Sequence, residues 1–283
     1  MTAGNEFDTL SLNMPPLPPV RQFIGLSWQR YTQHLGRFLE VSLWLLIPSL
    51  IQLALLFVLT MPSVTLSLGT IWSINIIVIR LLTLIITTWV SIRLIKLTLA
   101  HDPKEEGYIA THPHVGWKLF FPTVLINILF GLALFGGGIA LVLPGIWLVV
   151  ALSFSQFFLV DLDQRGLHAL DASLAIVRHR WWPVVGRMLV AGLSFLVLSF
   201  LILTLISLIL DTVFGASMST EISQLTRGLI IDGNISVSAL RAFGISDLRD
   251  TLLFSLTTPF LAIAQSILYK SLKETYRPEE QAA

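Results

Sequence analysis

Apolar and polar positions along this chain fall into long blocks, not into the short alternations of a water-soluble fold. Residues 41–61, "VSLWLLIPSLIQLALLFVLTM", and 70–92, "TIWSINIIVIRLLTLIITTWVSI", each supply the run of about 20 apolar residues that a helix needs to cross a bilayer. A third run, Leu119 to Val160, has no charged side chain. As one helix it would be about 63 Å long, roughly twice the hydrocarbon thickness, so it has to turn back. Helix breakers sit near its middle: Gly136, Gly137, Gly138 and the pair Pro144-Gly145. Proline lacks an N–H and disfavours helix at the residue before it, so these positions predict the turn of a hairpin with arms over 119–142 and 145–161. Further spans are expected over 184–210 and 251–269, joined by an outer loop over 211–250.

The pattern thus predicts an all-α polytopic membrane protein with six transmembrane helices in one domain, residues 21–275. A Pro-rich tail with "NMPPLPPV" precedes it over 1–20, read as disordered and as a candidate ligand for a proline-binding domain, and a short tail follows over 276–283. That tail holds Glu6 and Asp8 and no basic residue, which is not signal-peptide form. Composition agrees with the spans: 54% of residues are hydrophobic and only 12% charged, where a soluble domain has about a quarter charged. The absence of cysteine rules out disulfides and thiolate metal sites, and a net charge of +1 is no footprint for nucleic acid.

Charge orients the spans. Fourteen of the 18 Lys and Arg residues fall in the tails and in the second and fourth connections, and only Arg227, Arg241 and Arg249 in the 211–250 loop. The positive-inside rule then puts both termini in the cytoplasm. Each odd-numbered span follows an amphipathic stretch ending in basic and aromatic residues: "LSWQRYTQHLGRFL" (26–39), "YIATHPHVGWKLFF" (108–121) and "LDASLAIVRHRWW" (170–182). In the last, Leu170, Leu174, Val177 and Trp181 share one helical face, as in a helix lying among lipid headgroups. A unit of interfacial helix plus two spans, repeated three times, is the expected organisation.

The segment 141–190 carries a resemblance. Pro144-Gly145, the following Phe154, "ALDAS" at 169–173, the basic residues before Trp181 and Trp182, and "ILYKSLKE" at 267–274 resemble a bacterial family of six-span membrane proteins. That family includes YciC-like proteins and the membrane domain attached to some glycerophosphoryl diester phosphodiesterases. The resemblance implies a scaffold in the bacterial cytoplasmic (inner) membrane, not a reaction. The phosphodiesterase barrel needs about 250 residues of its own, and no polar segment here is that long, so the activity is not carried over and a non-enzymatic protein is expected.

Arg80 is the foremost candidate for function, because a cation in mid-span is costly and has to be accounted for. It either binds an anionic solute or lipid phosphate between helices, or reaches the outer interface or Asn75, Gln52 or Asn127. No acidic residue is expected well inside a span, which speaks against ion-coupled transport. Arg178, Arg180, Arg187, Trp181 and Trp182 form a second candidate set, for anionic phospholipid at the interface. Asp161 and Asp163 are expected to close a helix end or to pair with Arg178 or Arg180. "HDPKEEGYIATHPH" (101–114) lacks helical metal-ligand spacing, and no catalytic motif or cofactor site is present. The expected role is the organisation of membrane lipids, with a protein partner or a homo-oligomer as further candidates. The alternative is a transporter or lipid-handling protein with an anion site at Arg80.

Overall fold

The computed structural model describes residues 17–59, 68–100, 103–112, 116–140, 142–178, 180–214 and 237–274. Among them there are helices and no strands. The helices are α1 (Val20–Gln33), α2 (Leu35–Ser42), α3 (Leu46–Leu59), α4 (Leu68–Leu99), α5 (Pro103–Thr111), α6 (Phe120–Ala140), α7 (Val142–Leu152), α8 (Ser155–Leu162), α9 (Leu167–Arg178), α10 (Trp181–Phe214) and α11 (Val237–Lys273). Six stretches are long and apolar enough to cross a membrane: Leu35–Val58, Ile77–Leu99, Trp117–Gly136, Gly145–Leu162, Trp181–Ile206 and Gly244–Lys273. The protein is an all-α polytopic fold. The fifth stretch shows why it suits lipid: Leu196, Phe200 and Leu205 are about three-fifths exposed or more, a cost in water that hydrocarbon removes.

Four of these helices begin with the same device. Pro48, Pro122, Pro144 and Pro183 each occupy the third position of α3, α6, α7 and α10. The first N–H groups of a helix have no intrahelical acceptor, so a proline there removes nothing. At Pro48 the chain also passes through a 3₁₀ turn, Leu43–Leu45, at the carbonyl that the proline ring would otherwise crowd.

Two sequence expectations change. The glycines Gly136, Gly137 and Gly138 lie within α6, and Pro144 and Gly145 within the first turn of α7. Residue 141, between α6 and α7, lies outside the described residues. The chain does reverse: Gln156 on α8 donates to Asn127 on α6 at 2.5 Å. Glycine is tolerated in a helix, and proline is tolerated in its first turn, so neither had to leave it. The polar connection expected over 211–250 is helical at both ends, because α10 runs to Phe214 and α11 starts at Val237. The remainder of that loop, like the Pro-rich stretch before Leu17, lies outside the described residues.

The helices group into two compact units. One holds α2 to α5, α10 beyond Gly192 and α11 up to Pro259. In it Glu106 on α5 is buried and receives Arg37 of α2 and His34 just before that helix, at 2.5 and 2.9 Å. Arg93 on α4 is fully buried, donates to the Ile109 carbonyl at 2.6 Å and lies 4.5 Å over the Trp89 ring, contacts that offset the loss of water around a cation.

The other unit holds α1, α6 beyond Phe120, α7 to α9, α10 up to Gly192 and α11 from Phe260. Here the fourth span is two helices, interrupted at Ser153–Phe154. The interruption frees backbone groups in an apolar setting, and Ser173 of α9 takes them up. Its hydroxyl accepts from Phe154 N at 3.1 Å and donates to Ala151 O at 2.7 Å, fully buried. Ala169, Leu170, Ser173, Ile176 and Val177 are buried, and α9 packs on α7 and α8. The apolar face read as a lipid-facing one is therefore covered by protein. In the first amphipathic stretch Tyr31 and Phe38 are buried while Leu26 and Trp28 are exposed; burial pushes the Tyr31 phenol above its ordinary value. Phe154, Phe157 and Phe158 surround Tyr269 of α11, with ring centroids 5.3–6.4 Å away.

Candidate functional site

Within the first unit, α3, α4 and α11 line an open cavity of about 550 Å³. Each helix offers it one face. From α3 come Pro48, Ser49 and Gln52; from α4 come Arg80, Thr83, Thr87 and Ser91; from α11 come Asp247, Asp250, Thr251 and Thr258. Spacings of three, four, seven and eleven residues place each set on one stripe of its helix. These are polar stripes inside apolar sequences, so they face each other across the cavity in place of lipid.

Gly244 sets how closely α11 approaches α3. A Cβ there would come within 3.0 Å of Leu53 and 3.1 Å of Leu56. That seating brings Ser49 to Asp247 at 2.7 Å and to Thr251 at 2.6 Å. With the Ser49 proton given to the carboxylate, Thr251 donates to Ser49, a relay that fixes Asp247 in the wall. Asp250 is paired with Arg249 at 2.9 Å. Arg80 is exposed and, among the described residues, makes no hydrogen bond or ion pair. The hydroxyls of α4 are turned to their own helix: Thr83 donates to Ile79 O, Thr87 to Thr83 O and Ser91 to Thr88 O. What they present to the cavity is oxygen lone pairs.

The acidic residues correct an expectation. Asp247 and Asp250 were assigned to the outer loop, but they belong to α11, and Asp247 falls within the apolar stretch Gly244–Lys273. Carboxylates therefore do share a cavity with Arg80. The signal was present as the stripe 247, 250, 251, 254 and 258, but Arg241, Arg249 and the two Asp lower the hydropathy enough to hide the helix. Of the partners considered for Arg80, Gln52 shares the cavity, Asn127 is bonded to Gln156, and the Asn75 side chain lies outside the described residues.

The second candidate set is not assembled into one site. Arg187 donates to the carbonyls of Leu17, Pro18 and Pro183 at 2.8–3.1 Å, so its guanidinium is occupied by backbone. Trp181 and Trp182 stack edge to face at 4.7 Å, and Trp182 is 77% exposed. Arg178 is exposed, and partial burial lowers the pKa of Arg180. Asp161 takes Tyr269 at 2.8 Å and Lys273 at 2.6 Å, and Asp163 takes Arg165 at 3.0 Å, in place of the expected Arg178 or Arg180. Asp163 is also the left-handed residue that ends α8. Among the described residues no three His, Asp or Glu gather as a metal site, and His112 stacks on Tyr108. His101, His114 and Asn234 lie outside the described residues. No family model, curated protein or solved structure matches this chain.

Proposed function

We propose that this is a non-enzymatic protein of a bacterial cytoplasmic membrane, with both termini in the cytoplasm, that binds an anionic group beside Arg80 and moves or presents it within the bilayer. One observation carries this reading: Arg80, which makes no hydrogen bond or ion pair among the described residues, lines a roomy cavity whose wall also carries hydroxyls and carboxylates. In a low-dielectric setting such a cation attracts a phosphate or carboxylate far more strongly than in water. The family resemblance of 141–190 supports the bacterial membrane setting, and the distribution of Lys and Arg supports the orientation. A second reading, the organisation of anionic lipid or a protein partner at the cytoplasmic face, is favoured by the exposure of both Trp182 and Arg178.

The test is native mass spectrometry of gently extracted full chain, wild type beside Arg80→Leu. The wild type is expected to carry a lipid or solute adduct bearing a phosphate or carboxylate that falls about tenfold in the variant, a loss of about 1.4 kcal/mol. Identical spectra with a co-purifying protein would overturn the Arg80 reading in favour of the second.

A further inference from the structure

Resting on the anion site at Arg80, we infer that the cavity ligand is a zwitterion, an amine-bearing phosphate whose anionic end meets Arg80 and whose ammonium meets Asp247. Three observations lead there. First, among the described residues the charges in and beside the wall cancel: Arg80 against Asp247, and Asp250 against its partner Arg249. A ligand of net charge would leave an uncompensated charge in a low-dielectric site, whereas a neutral ligand with separated charges leaves none. Second, Arg80 and Asp247 line one cavity yet form no ion pair, and Asp247 is held instead by Ser49. Opposite charges kept apart in one cavity match a ligand that carries both signs. Third, beyond Arg80 and Gln52 the wall is rich in acceptors. Thr83, Thr87 and Ser91 spend their protons on backbone carbonyls and offer oxygens, which suit an ammonium with its three donors. A phosphate suits the other end because a guanidinium meets it bidentately.

The same chemistry has two sources, a phosphatidylethanolamine headgroup or free glycerophosphoethanolamine. The full chain in detergent is exposed in parallel to phosphatidylethanolamine, phosphatidylglycerol and glycerophosphoethanolamine, and bound species are read by native mass spectrometry. We expect wild type to retain phosphatidylethanolamine about tenfold over phosphatidylglycerol, Asp247→Asn to lose that preference, and Arg80→Leu to lose both lipids. Retention of glycerophosphoethanolamine by itself identifies a free solute; retention of the lipid only identifies a headgroup. Equal binding of the two lipids by wild type, with both lost in Arg80→Leu, overturns the zwitterion and leaves the anion site standing. Binding unaffected by Arg80→Leu, or no binding of any probe, overturns both.

Discussion

Tyr269→Ala lowers the unfolding free energy of the detergent-solubilised protein by about 4 kcal/mol, while Tyr269→Phe lowers it by about 1 kcal/mol. The ring is fully buried among Phe154, Phe157 and Phe158, so its removal leaves a cavity that packed aromatics cannot close. The phenylalanine variant keeps the ring and loses only the hydroxyl bond to Asp161, which still has Lys273. Reversible denaturant titration in mixed micelles reads both values. Equal losses in the two variants would show that the hydroxyl, and not the aromatic cluster, holds α11 to α8.

The second large effect is at Ser173. Ser173→Ala leaves Phe154 N and Ala151 O buried without partners, a cost of about 2–4 kcal/mol for the two groups. The same titration measures it, and amide exchange at Phe154 should accelerate by the matching factor. A cost under about 0.5 kcal/mol would mean that the interrupted span heals into a continuous helix when the serine is gone.

The spans were legible because length and hydropathy decide whether a segment can live in hydrocarbon, and both are written in sequence. Three features were not. The start of α11 was hidden because Asp247, Arg249 and Asp250 dilute the apolar signal that helical spacing preserves. The helical setting of Pro144, within the first turn of α7, was hidden because a first-turn proline and an interior one look the same in sequence, although only the second costs a hydrogen bond. The faces of α1 and α9 were correctly apolar, but periodicity says that a face is covered, not whether lipid or protein covers it. Arg80 was found because any mid-span cation stands out. Asp247 was not, because its importance comes from Ser49, nearly two hundred residues away in sequence.

The grip of Arg187 on Leu17 and Pro18 has a consequence for how the amino-terminal segment is anchored. Its acceptors are peptide carbonyls and not carboxylates, and proline residues supply carbonyls with no N–H of their own to compete for them. An attachment of this kind involves one charge, not two, so mobile ions have little to screen. Raising the ionic strength should leave the segment seated, with trypsin cleavage at Arg21 no faster in molar salt than in dilute buffer, where a tether made of paired charges would let go.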